Sequence, residues 1–213
     1  MAELYVIRHG ETEWSRDHRH TGRTDVPLTP RGEEQARLLA AELAGRDFAL
    51  VLVSPALRAR RTAELAGLVP PGWPDAAQED APKAELDPDL WEWDYGGYEG
   101  ITTARIRQDR PGWYLWRDGV IPGDAGHPGE TVEQVGARVD RVIARVRPIV
   151  AGQDVAVVAH GHLLRVLTAR WLGLAPRDGR LFRLDTGTIS ALGFEHGEPV
   201  IRRWNAPVRE RAR

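Results

Sequence analysis

Hydrophobic positions fall in three short, dense runs separated by longer amphipathic stretches. Leu4 to Ile7, Phe48 to Val53 and Val155 to Ala159 carry almost no polar residue and are rich in β-favouring side chains. Such runs predict strands buried on both faces of a sheet. Between them the period changes. Thr29 is a natural N-cap and Pro30 suits a first helical position. Ala36, Leu39, Ala40 and Leu43 form a stripe that Gly45 ends. A second helix is predicted from about Ala56 to Leu68, packing through Ala59, Thr62, Ala63 and Ala66. A long one opens at Glu130-Thr131-Val132 and runs to about Val146 with Val135, Val139, Val142 and Ile143 at helical spacing. A last one spans Leu163 to Leu172, closed by Gly173.

The remaining stretches read less regularly. Thr12 to Pro27 is polar and loop-like. Pro70 to Pro74 breaks the chain, and an acidic, irregular segment follows to Asp89 with a short strand near Ala84 to Leu86. Leu90 to Gly100 is dense in aromatics, acids and glycines and reads as a structured functional loop. Short helices are predicted over Thr102 to Asp109 and Pro111 to Trp116, with a Gly/Pro-rich loop to Gly129. Two strands, Thr188 to Phe194 and Val200 to Trp204, turn through His196-Gly197. Strands alternating with helices predict an α/β protein, a three-layer α/β/α sandwich with a mostly parallel central sheet. Residues 1–213 read as a single domain, with a cap or substrate region formed by about 90–130 and the 12–27 loop.

Composition removes several function classes. With 29 Lys+Arg against 31 Asp+Glu the net charge is −2. No basic field favours nucleic acid, and the arginines at 202–203 and 209–213 are too few to change that. No apolar run approaches a membrane span or a signal peptide. Cysteine is absent, which excludes disulfides, thiolate metal sites and Cys nucleophiles and fits a cytoplasmic enzyme.

Each of the three buried strands ends at chemistry. The first ends at Arg8-His9, the second leads through Ser54 to Arg58, and the third ends at His160. Ligands of open α/β sheets bind at the carboxyl ends of strands. If these ends are neighbours, two arginines and two histidines converge, and an anion of phosphate size is the natural occupant. Glu92 in the aromatic loop is the candidate proton donor, with nearby Trp rings expected to desolvate it and raise its pKa. Taken singly, each group also has a bland reading. Arg8-His9-Gly10 suits a surface turn, Arg58 a solvated helix face beside Arg60 and Arg61, His160 a satisfied strand-end histidine, and Glu92 an ordinary loop acid. It is their equivalent placement that argues for a site. His18-Arg19-His20 and His160-Gly161-His162 have the His-x-His spacing of zinc ligands. No acid closely follows the second pair and no His-Glu-x-x-His helix exists, so no metal and no cofactor is expected. Asp185-Thr186-Gly187-Thr188 reads as the turn entering the penultimate strand.

These motifs resemble the histidine phosphatase superfamily, in its phosphoglycerate mutase-like branch. Arg8-His9-Gly10-Glu11-Thr12 is similar to the phosphohistidine motif, Trp14-Ser15 to Thr21-Gly22 to the substrate loop that follows, Ser54 to Ala59 to the second-arginine motif, Leu90-Trp91-Glu92 with Gly96 and Glu99-Gly100 to the proton-donor loop, and Ala159-His160-Gly161 to the second-histidine motif. The family often carries Asn where Ser15 stands. The resemblance implies a phosphoglycerate mutase-like fold and a metal-independent mechanism. His9 is the implied nucleophile, Arg8, Arg58 and His160 stabilise charge, and Glu92 is the acid and base. Ser15, Thr21, Gly22, Tyr95, Gly161 and His162 join Arg8, Arg58, Glu92 and His160 as implied substrate contacts. Gly129-Glu130-Thr131, the short 100–129 span and the 92–100 loop with His162 are most similar to phosphatase members that include sugar bisphosphatases and an acid phosphatase. Hydrolysis of a small phosphate ester, a sugar phosphate or related metabolite, to inorganic phosphate is therefore expected. A cofactor-dependent phosphoglycerate mutase is the alternative. Asp94 and Glu99 are expected to suit a hydroxyl-bearing substrate.

Overall fold

The computed structural model describes residues 2–75 and 83–208. Part of the acidic stretch before Asp89 and the basic tail at 209–213 lie outside the described residues. Six strands form one sheet: β1 (Leu4–Arg8), β2 (Phe48–Val53), β3 (Ala84–Leu86), β4 (Asp154–Ala159), β5 (Thr188–Glu195) and β6 (Glu198–Pro207). Their order is β3-β2-β4-β1-β5-β6. The first four are mutually parallel, and β5 and β6 add an antiparallel edge.

The buried runs alternate faces as the pleat requires. Leu4 and Val6 of β1, with Leu50, Leu52, Val155 and Val157, join one core. Tyr5 and Ile7, with Val51, Val53, Ala156 and Val158, join the other. Two helices, α2 (Pro30–Leu43) and α3 (Leu57–Leu65), cover the second face through Leu39, Leu43, Ala59 and Ala63. The first face is covered by α6 (Val132–Val150) and α7 (Gly161–Trp171). Both faces are apolar because both are covered, and that gives the expected three layers.

Register fixes the site. Arg8 pairs with Ala159 and Val53 with Val158, so β1, β4 and β2 end level with one another. The His9 N–H donates to Ala159 O at 3.0 Å and the Ser54 N–H to Val158 O at 3.0 Å.

Some elements differ from expectation. The 12–27 segment contains a one-turn helix, α1 (Glu13–Arg16), closed by a Thr12/Ser15 capping box. Two further short helices, α4 (Thr103–Asp109) and α5 (Leu115–Asp118), add Ile106, Leu115 and Trp116 to the first core, with 3-10 turns at Pro88–Leu90 and Gly96–Tyr98. The long helix passes through Pro148 to Val150. Proline removes the bond to Ala144 O, on the exposed side of the helix, while buried Val150 anchors the last turn. At the other end of the sheet, α7 starts at Gly161, two residues before the expected Leu163, for a reason that lies in another segment.

Candidate functional site

His9 is 4 % exposed and sits one residue past the end of β1. Gly10 lets the chain turn against α2: a Cβ there would lie 2.2 Å from Gly32 O. The Nδ1 of His9 is 2.7 Å from the Gly10 carbonyl. A carbonyl only accepts, so Nδ1 carries the proton and Nε2 keeps its lone pair. Burial, then Arg58 and Arg8, hold the His9 pKa well below the usual histidine value, so the ring is neutral.

His160 is fully buried, its ring centroid 5.1 Å from that of His9. Arg58 Nε donates to His160 Nδ1 at 3.2 Å. The proton is therefore on Nε2, which donates to Ser54 Oγ at 2.7 Å. Burial and Arg58 lower this pKa strongly too. The two arginines and two histidines are thus two guanidiniums and two neutral imidazoles in this structure. Arg58 is 0 % exposed, and its remaining donors go to Thr24 O at 2.9 Å, Gly22 O at 2.9 Å and Thr21 O at 3.3 Å. Burial lowers its pKa, and no carboxylate pairs with it among the described residues. Arg8 donates from Nη1 to Leu184 O at 2.6 Å, while its Nε is buried without a hydrogen-bond partner.

Glu92 is 5 % exposed and reaches the N-terminus of α7. Its carboxylate accepts from the N–H of Leu163 at 2.8 Å, His162 at 3.0 Å and Trp93 at 2.9 Å. This cap, supplied from the aromatic loop, is why α7 begins two residues early. The two tryptophans that flank Glu92 in sequence each have a partner elsewhere. The Trp91 ring lies under Arg23 at 5.3 Å, and Trp93 meets Trp116 edge-on at 5.5 Å. The ring that does reach the cavity from this loop is Tyr95, whose Oη lies 2.6 Å from His162 Nδ1. Burial holds both neutral, with Tyr95 raised and His162 lowered.

A cavity of about 370 Å³ opens beside these groups. Of the residues expected to touch substrate, Arg8, Ser15, Thr21, Glu92, Tyr95, Gly161 and His162 line it along with His9. Arg58 and His160 do not; they lie behind the floor. Gly22 is also corrected, because it stands outside the lining, its N–H bonded to the Glu99 carboxylate at 2.9 Å and its carbonyl to Arg58. Ser15 faces the cavity, but its hydroxyl proton goes to Thr12 O at 3.0 Å, so it acts as a helix cap. The hydroxyl-binding expectation for Asp94 and Glu99 is corrected as well. Asp94 accepts from the Gly96 N–H and Glu99 from Gly22 and Thr24, so both carboxylates shape loops. Gly187 of the expected turn donates to His9 O at 3.0 Å.

Sequence reasoning missed Arg138 on α6. Buried and paired with Glu130 at 2.9 Å, it also donates to the carbonyls of Asp89, Trp91 and Glu92. A charge inside an otherwise apolar helical stripe was the available signal. Of the cavity wall, Thr103, Arg107 and Trp113 to Trp116 fall in the expected 90–130 substrate region, whereas Arg165 of α7 was not foreseen. Among the described residues no three His, Cys, Asp or Glu side chains are grouped to hold a metal ion.

The family model for the histidine phosphatase superfamily, branch 1, matches residues 4–207. An acid phosphatase from Mycobacterium tuberculosis is 40% identical over 197 residues, covering 91% of this chain and 87% of the relative. A sedoheptulose 1,7-bisphosphatase from Saccharomyces cerevisiae is 38% identical over 193 residues, covering 79% and 67%. The solved structure of a functionally characterised Mycobacterium tuberculosis open reading frame superposes with a TM-score of 0.83 at 36% identity, covering 98% of this chain and 99% of that one.

Proposed function

The chain belongs to the histidine phosphatase superfamily, branch 1, and on that premise we propose that it is a metal-independent phosphomonoesterase acting on a small phosphate ester through a phosphohistidine at His9. The observation that carries this is the His9 Nδ1 bond to Gly10 O, which leaves Nε2 unprotonated beside two arginines. Nε2 attacks phosphorus, and the P–N bond forms as the ester P–O bond breaks. Three N–H bonds favour the ionised form of Glu92, so it takes up a proton from solvent before turnover. It gives that proton to the departing oxygen, then regains one from the water that attacks the intermediate and releases inorganic phosphate. Arg8 offers its unpartnered Nε to a phosphoryl oxygen, and Arg58 sets the field behind. His160 stays neutral, and its Nδ1, accepting from Arg58 Nε, orients that guanidinium.

A sugar phosphate or related metabolite is the proposed substrate class. The two named relatives are phosphatases, one of them acting on a sugar bisphosphate, and this favours hydrolysis over mutase activity. A cytoplasmic location belongs to this reading; among the described residues no helix is long and apolar enough to cross a membrane. The test is p-nitrophenyl phosphate hydrolysis with and without chelator, together with mass spectrometry of acid-labile phosphate on His9. His9→Ala is expected to lose at least about 10³-fold in kcat/KM. Full activity in that variant, or chelator-sensitive turnover, would sink the mechanism.

A further inference from the structure

One phosphoryl group at His9 engages Arg8, with Arg58 behind, yet the same cavity is lined by Arg165 and Arg107, which this chemistry does not use. Arg165 lies one helical turn along α7 from Gly161, the residue against which the Arg8 guanidinium packs. Its guanidinium lies over the Trp116 ring at 4.8 Å, and Nε and Nη2 donate to Gly179 O at 3.0 Å and Arg180 O at 3.2 Å. Arg107 on α4 is held by one bond, from Nε to Trp113 O at 2.9 Å, with its remaining donors uncommitted.

Neither arginine has a carboxylate partner among the described residues. Elsewhere the chain pairs its arginines readily, Arg141 with Asp89 and Arg170 with Asp140 for example. The one carboxylate lining this cavity is Glu92, and three N–H groups already engage it. Arg165 is also half-buried, and burial works against its charge. An oriented, uncompensated guanidinium facing a cavity is a site for an anion, and the planar stack on Trp116 presents its edge for bidentate contact.

We infer that the substrate carries a second anionic group, distinct from the phosphoryl group taken by His9 and held by Arg165 and Arg107. A carboxylate or a second phosphate meets this chemistry. The inference rests on the phosphatase reading for what happens at His9, but binding tests it independently of turnover.

Calorimetry on the His9→Ala protein is the deciding experiment. Fructose 1,6-bisphosphate is compared with fructose 6-phosphate, and 3-phosphoglycerate with glycerol 3-phosphate; the two pairs separate phosphate from carboxylate as the second group. At least one bis-anion is expected to bind about tenfold or more tighter than its partner. Adding Arg165→Ala is expected to reduce that preference to about threefold or less, and Arg165→Lys to restore part of it. Since Arg165→Ala also releases the Gly179–Arg180 turn, Arg107→Ala, on an exposed side chain, gives a second reading in the same direction. Equal binding within both pairs overturns the inference, as does a loss in Arg165→Ala that is the same for mono- and bis-anions, which marks a structural arginine. Wild-type turnover without bis-anion preference leaves the phosphatase reading standing and this one refuted; preference without turnover does the reverse.

Discussion

The floor and the wall of the cavity are built by opposite means. The floor comes from strand ends held level by β register, so Arg8 and His9, with Ser54 and His160 behind them, are placed by backbone bonds that also hold the sheet together. His9, Ser54, Arg58 and His160 are buried, and Arg58 spends its donors on carbonyls and on His160. The wall is assembled from short helices and loops: His20 lies between Tyr95 and Trp113, Tyr95 and Trp116 both meet His162, and Arg165 lies over Trp116. A rigid floor suits chemistry common to every substrate. A wall of separate pieces can change without disturbing the sheet, which is where selectivity among substrates belongs.

The sharpest way to break this contrast is Arg58→Met. Removing a buried charge that has no carboxylate partner is expected to cost about 10³-fold in kcat, roughly 4 kcal/mol of transition-state stabilisation. The same change is expected to shift unfolding stability by less than about 2 kcal/mol, since a packed apolar chain replaces an uncompensated ion. Steady-state kinetics and urea melts on one preparation would show it. A protein that unfolds with its activity would make Arg58 a structural residue.

Arg138→Ala tests the joint between the two regions. Arg138 holds the aromatic loop by three carbonyls and by Glu130, and so places Glu92. The variant leaves a largely buried carboxylate unpaired and is expected to lose about 3 kcal/mol of stability. If Glu92 depends on that clamp, kcat and burst labelling of His9 both fall with an alkyl phosphate, while labelling by p-nitrophenyl phosphate, whose leaving group needs no proton donor, survives. An unchanged melt would separate the loop from the clamp.

Acid titration distinguishes the regions most finely. His9, His160 and His162 are all held below the usual histidine value, and His20 is pushed down to about 4 by burial alone. The neutral ring is favoured in the folded protein, so this stability is fully present above the unfolded pKa of about 6.5 and is lost as pH falls toward the folded value. His20→Gln is expected to flatten the fall in stability between about pH 6.5 and 4 by roughly 1 kcal/mol per pH unit. A slope identical to wild type would place His20 in water. The acid limb of kcat/KM is expected below the usual histidine range, since His9 is the group that must stay neutral.

Much of the floor was legible in the chain. Charge-free β-favouring runs ending at Arg8-His9, Ser54 and His160 announce buried strands with chemistry at their ends, because a strand covered on both faces tolerates polar groups only where it leaves the sheet. The Thr29-Pro30 and Thr131 starts were equally plain, since a helix N-terminus leaves unpaired N–H groups that these residues cap locally. What tertiary structure alone decided is which groups spend their hydrogen bonds on the protein. Ser15 caps its own turn, Gly22 is tied by Glu99, and Glu92 caps α7 across 70 residues of chain. The protonation of the two histidines was likewise settled by Gly10 O on one side and Arg58 on the other. Local sequence carries the preference of a residue for a type of structure. The partner that satisfies a buried polar group is set by whatever distant segment packs beside it, and that appears only when the chain has folded.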